Sequence, residues 1–148
     1  MKTKIRKATP KDIEQMLKII KQNSPSYPRA VAKKEIEEMF SKALHKPAYL
    51  VVEKDKEIVA FGGFIRSWID NMIFNIFWIN TNPKHKNLGF GTKLIEALIK
   101  EIKSIKEKPK AKIILISTKI PSYYEKFGFI EINDKYDGDY VLMEMKIK

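Results

Sequence analysis

Asn82-Pro83-Lys84-His85-Lys86-Asn87-Leu88-Gly89-Phe90-Gly91-Thr92-Lys93-Leu94 is the stretch whose reading decides the fold. It leaves an apolar, β-rich run and enters an amphipathic helix. A helix N-terminus presents unpaired N–H groups and the positive end of a dipole, and together these bind phosphate. Gly89 and Gly91 let the backbone bend round an anion with no side chain in the way. Asn87 tolerates left-handed backbone nearly as well. Lys86 sets a cation at the mouth, and Thr92 a hydroxyl in the first turn. Two familiar phosphate loops are excluded. No GxxxxGK[ST] is present. A GxGxxG fingerprint fails because Leu94 takes the third glycine's place, and Ser117 and Thr118 stand where an acidic residue would end the next strand. An ordinary glycine turn remains the alternative reading.

Working outward, the helix is expected over residues 91–105, with Leu94, Ile95, Leu98, Ile99, Ile102 and Ile105 on one side. Upstream, residues 48–53, 57–66 and 72–81 read as an antiparallel meander, its first two strands joined by Lys54-Asp55-Lys56. A strand over 2–7 precedes a helix that Thr9, Pro10 and Asp12 start, with Ile13, Met16, Leu17 and Ile20 on its apolar face. Residues 23–29 form a proline-bearing loop, and a second helix is predicted over 30–44. Downstream, Pro109 breaks the chain. Residues 112–117 are a buried strand, 121–127 a short helix stopped by Gly128, and 129–133 and 140–146 closing strands. The order is β-α-α-β-β-β-α-β-α-β-β. No repeat or interdomain linker interrupts it, so residues 1–148 are expected to form one domain.

The composition sets bounds. Hydrophobic residues make up 44% of the 148, enough for a core and too many for a disordered chain. With no cysteine, thiolate nucleophiles, disulfides and thiolate-held metals are excluded. Two histidines argue against a histidine metal site, so no metal is expected. No apolar run spans a membrane, and MKTKIRKATPKD lacks a signal core, so a cytoplasmic location is expected. The balance of 29 basic against 18 acidic residues, +11, favours anionic partners, or simply a solvated lysine coat.

Lys86-x-x-Gly89-x-Gly91 resembles the Arg/Gln-x-x-Gly-x-Gly/Ala loop of the GNAT superfamily, the acyl-CoA-dependent N-acetyltransferases. Pro83 matches the proline that closes the preceding strand. Tyr124-Glu125-Lys126-Phe127-Gly128-Phe129 resembles the family's Tyr-Glu-Lys-Leu-Gly-Phe segment, and Val141-Leu142-Met143-Glu144 its last strand. The likeness runs over nearly the whole chain and is sharpest between Ile79 and Phe129. It implies an α/β (α+β) fold with a mixed, mostly antiparallel sheet of six to seven strands flanked by about four helices.

The resemblance also implies a chemistry. Lys86, Asn87, Leu88, Gly89, Phe90, Gly91 and Thr92 would cradle the pyrophosphate of acetyl-CoA. Ile79, Asn80 and Thr81 would offer backbone hydrogen bonds to its pantetheine arm, in a gap between the strands 72–81 and 112–117. Lys86 departs from the usual Arg or Gln, keeping the charge and losing planar bidentate geometry. Tyr124 would protonate the departing thiolate, while Tyr123 is expected in the core. Asn75 stands where many relatives carry a glutamate base, and an amide takes no proton. Asp70, Glu53 and His85 are the other candidates for that role, none singled out. Tyr27, Arg29, Asn75 and Trp78 are candidate acceptor-binding residues, with Trp68 and Phe74 as further aromatic lining.

The expected function is acetyl transfer from acetyl-CoA to a primary amine: a small molecule, a polyamine or a peptide amine. A catalytically weak CoA-binding sensor and a basic nucleic-acid-binding module are the alternatives, the latter without any reading motif. No membrane partner is expected, and a homodimer is left open.

Overall fold

Tyr49, Leu50, Val51 and Val52 are all buried, and so is every residue from Ile58 to Phe64. Strands without a solvated face must be covered on both sides. The computed structural model, which describes residues 3–148, supplies the two covers. β1 (Thr3–Lys7), β2 (Ala48–Lys54), β3 (Glu57–Arg66) and β4 (Ile73–Thr81) form an antiparallel half-sheet. α1 (Ile13–Asn23) and α2 (Arg29–Glu37) pack on one face through Met16, Leu17, Ile20 and Ile36 against Tyr49, Val51 and Phe61. α3 (Phe90–Lys103) lies on the other, burying Leu94, Ile95, Leu98 and Ile102 against Val52, Ala60 and Ile76. Each such side chain stabilises the fold by roughly 1.5–3 kcal/mol, so the helix below the glycine loop is firmly seated.

β5 (Ile113–Thr118), α4 (Pro121–Glu125), β6 (Ile130–Glu131) and β7 (Val141–Lys146) complete a seven-stranded sheet of order β1-β2-β3-β4-β5-β7-β6. Every pair is antiparallel except β4 with β5. That parallel pair holds only at Ile73, Phe74 and Asn75, facing Ile113, Ile114 and Leu115. Beyond Asn75 the strands part and the sheet forks. A β-bulge lies just past the fork: Phe61 faces Asn80 and Gly63 faces Phe77, so Trp78 and Ile79 together oppose Gly62. Trp78 takes a left-handed φ of 54° there, and a bulge bends its strand away from a neighbour. Gly62 is required opposite it, because a Cβ would lie 2.6 Å from the Ile79 Cδ1.

The seven strands, four helices and their order agree with expectation, and the differences are local. Lys2, expected in the first strand, lies outside the described residues. The first helix opens with a 3-10 turn at Pro10–Asp12. The second stops at Glu37, far short of residue 44, with one 3-10 turn at Glu38–Phe40. Ser41 Oγ donates to the Glu38 carbonyl at 2.8 Å and accepts the Ala43 amide at 3.1 Å, turning the chain away. No core remains there to cover an apolar face, and Leu44 is fully exposed. The closing strand expected over 129–133 shrinks to Ile130–Glu131. Phe129 dives into the core instead, and Asn133 Oδ1 accepts the Leu142 amide at 3.2 Å.

Candidate active site

The glycine loop emerges from β4 through a 3-10 turn at Pro83–His85, fixed by Asn82 Oδ1 accepting the Lys84 amide at 3.0 Å. Asn87 and Gly89 are left-handed, at φ 65° and 85°, so the backbone reverses twice before α3 begins at Phe90. Successive bends of this kind turn N–H groups toward one concavity. The first helical amide to find a carbonyl is that of Lys93, on Gly89 O at 3.1 Å. The amides of residues 86–92 have no acceptor among the described residues. Lys86 likewise has no carboxylate partner among them.

Those amides border a cleft of about 530 Å³. Ile79, Asn80, Thr81, Lys86, Asn87, Gly89, Phe90, Gly91 and Thr92 line it, which is every expected cofactor residue but Leu88. Leu88 is exposed beside it. Tyr124 lines the same cleft from α4, 8% exposed. Its hydroxyl has no protein partner among the described residues, and burial, then the neighbouring Tyr123, push its titration up to about 12. A phenol so placed is a neutral proton donor at physiological pH.

Tyr123, expected in the core, is half-buried and faces the cleft. Its hydroxyl and Thr92 Oγ1 share a hydrogen bond of 2.8 Å, and Lys126 Nζ donates to Thr92 Oγ1 at 3.3 Å from above the Tyr123 ring. A hydroxyl rather than an aliphatic tip explains the difference: it couples α4 to the first turn of α3. Asn23, at the end of α1, was not singled out by sequence. Its Nδ2 donates to Asn80 Oδ1 at 3.0 Å and to the Thr81 carbonyl at 2.9 Å, tying α1 to the bulged end of β4. No sequence signal separates this asparagine from an ordinary helix-terminal one.

The acceptor-binding candidates do not share that cleft. Arg29 pairs with Glu14 at 2.8 Å on the exposed surface. Asn75 sits at the fork, the last residue of β4 paired to β5. Tyr27 and Trp78 do come together, their rings edge to face with centroids 4.8 Å apart. Both donate to a residue that sequence reasoning passed over: Trp78 Nε1 to Glu35 Oε2 at 3.0 Å, and the Tyr27 hydroxyl to Glu35 Oε1. Under them lies Tyr49, fully buried, its hydroxyl without a partner among the described residues. Burial raises the Tyr49 titration, and the charge of Glu35 raises it further.

Of the three base candidates, two are tied up elsewhere and one borders the cleft. Glu53 is bound to Arg6 at 2.8 Å. Asp70 Oδ1 accepts the Met72 amide at 2.8 Å, a turn bond. His85 lines the cleft, edge-on to Phe90. Trp68 is exposed against His45, and Phe74 is core beneath Arg66. No group of three or more histidines and carboxylates among the described residues could hold a metal ion, and no helix among them is long and apolar enough to cross a membrane.

Solved structures share the whole architecture. A GNAT-family protein of Desulfovibrio desulfuricans superimposes with a TM-score of 0.81 at 12% identity, covering 98% of this chain and 99% of that one. PaiA N-acetyltransferase of Thermoplasma acidophilum, in complex with coenzyme A, gives 0.70 at 19% identity over 99% and 100%. An aminoglycoside 6'-N-acetyltransferase complexed with coenzyme A gives 0.79 at 15% identity over 97% and 96%. At such identities the likeness is one of fold. No curated protein matches the sequence. The model of the acetyltransferase (GNAT) domain, however, matches residues 45–131, well over half the chain, and this protein therefore belongs to the GNAT superfamily of acetyltransferases.

Proposed function

We propose that the protein transfers an acetyl group from acetyl-CoA to a primary amine. The observation that carries this reading is the run of unspent amides over residues 86–92, opening on the same cleft as the Tyr124 hydroxyl. Two structures of this fold were solved with coenzyme A. The residues present fit that ligand. The amides from Asn87 to Thr92 and the Lys86 ammonium would hold the pyrophosphate, as a helix N-terminus holds phosphate. The β4 backbone beyond the fork, at Ile79, Asn80 and Thr81, has no strand neighbour on the β5 side and would pair with the pantetheine amides. Acetyl-CoA supplies an acyl group activated as a thioester.

The chain's own groups then handle protons. The acceptor nitrogen loses one proton to water in the open cleft, since Asn75 takes none. It attacks as the free amine, a C–N bond forms and the C–S bond breaks. Tyr124 gives its proton to the sulfur as it departs, the acetylated nitrogen releases its surplus proton to solvent, and the phenolate recovers a proton from water. The test pairs two measurements on the whole chain. Coenzyme A should raise the melting temperature, and acetyl-CoA with a suitable amine should yield free thiol. No melting shift would overturn the cofactor assignment. Asn75 favours one second reading, a CoA-binding sensor without turnover, for which the shift appears and no amine releases thiol.

A further inference from the structure

Glu35 stands out in a chain of net charge +11. It is half-buried, yet no lysine or arginine pairs with it among the described residues. Its carboxylate is oriented by two neutral donors, Trp78 Nε1 at 3.0 Å and the Tyr27 hydroxyl. Neutral donors bring no charge that would cancel a carboxylate's. A carboxylate accepts about four hydrogen bonds, so room for others remains. The two aromatic rings beside it would attract a cation in their own right. Tyr49 lies fully buried on one side, and Tyr27 on the other is exposed.

We infer that Glu35, with Tyr27 and Trp78, is a seat for an ammonium group of the acceptor, and that the acceptor is an aliphatic diamine or longer polyamine. This rests on the acetyl-transfer reading. The second amine follows from chemistry. A nitrogen seated on a carboxylate is held charged, and a charged nitrogen does not attack a thioester. The reacting nitrogen is therefore a different one on the same molecule. Trp78 belongs to the bulge that leads into Ile79, Asn80 and Thr81, so the seat and the cleft are joined by one short stretch of backbone.

The experiment measures binding and turnover separately, on the full chain with coenzyme A or acetyl-CoA. Calorimetry compares 1,4-diaminobutane with 4-amino-1-butanol, which replaces one ammonium by a hydroxyl. A charge-assisted contact should make the diamine bind about tenfold tighter or more, and Glu35→Gln should erase that preference while Glu35→Asp restores part of it. Equal binding of the two amines to the unaltered chain would overturn the seat, as would a preference that survives in Glu35→Gln. Thiol release from acetyl-CoA separates the two readings. A diamine held through Glu35 that releases no thiol removes the transferase and supports the seat. Thiol release with equal KM for both amines keeps the transferase and removes the seat.

Discussion

Tyr124 packs its ring into the core, but its hydroxyl has little to do for the fold. It is buried, its hydroxyl has no protein partner among the described residues, and its ring meets Phe127 and Phe129. Tyr124→Phe should accordingly leave the melting temperature and the coenzyme A shift nearly unchanged. Loss of the proton donor should lower kcat about 10²-fold, read as thiol release at saturating acetyl-CoA. The pH profile adds a second check. Because burial pushes this hydroxyl up to about 12, its ionisation should not reduce kcat anywhere between pH 7 and about 10. An alkaline decline there that vanishes in Tyr124→Phe would mean a phenol far less buried than this one. The tyrosine was legible in the sequence through its Glu-Lys-Phe-Gly-Phe context. Tyr123 packs against the core as expected, but its hydroxyl's bond to Thr92 was not legible, because it depends on how α4 meets α3.

The glycine loop and α3 act as one element. Gly89 has open space around it and a left-handed φ of 85°, whereas Gly91 lies inside the helix with Thr81 Oγ1 and the Tyr123 hydroxyl 3.6 Å from where a Cβ would sit. The two glycines should therefore respond differently. Gly89→Glu strains the backbone by about 1 kcal/mol, and it sets a carboxylate among amides that have no acceptor among the described residues. It should abolish the coenzyme A melting shift. Gly91→Ala meets only ordinary contacts and improves helix propensity by about 0.5–1 kcal/mol, so the free protein should melt about 2 °C higher with the coenzyme A shift retained. If Gly89→Glu still shows the shift, the loop does not hold the cofactor. The elements around this loop were readable from periodicity and from proline and glycine placement. The end of α2 and the brevity of β6 were not. Both depend on whether a core lies opposite an apolar face.

At the scale of the molecule, Arg6 of β1 clamps three segments. It reaches Asp12 ahead of α1 at 2.7 Å and Glu53 of β2 at 2.8 Å. Burial alone would raise the Asp12 carboxyl. The Arg6 hydrogen bonds, the Thr9 amide at 2.7 Å and the Arg6 charge together outweigh it, so the net direction is down. A carboxylate lowered in the folded state stabilises the fold fully above its unfolded value, about 3.9, and loses that contribution as pH falls through the folded one. Chemical denaturation should thus show stability declining below about pH 4, and Arg6→Met should cost about 2 kcal/mol at pH 7 and flatten that decline. An acid limb unaltered by the substitution would remove the clamp from the account. Tyr49 and Tyr124 have the opposite sign. Their raised hydroxyls contribute fully below about pH 10, and that part is lost at higher pH.

The sequence by itself determined the elements, their order and the glycine-marked bend of residues 82–94. Helical and strand periodicity, the Asn87 and Gly89 bends and the Pro83 stop all act over a few neighbouring residues. Only the tertiary structure decided where the sheet forks and what gathers beside the fork. Beyond Asn75, β4 separates from β5, and a bulge at Trp78 turns β4 aside there. Glu35 meets Trp78 across 43 positions of chain because α2 and β4 share one face of the core. Contacts between distant segments follow from which faces must be buried together, and no local pattern carries that information.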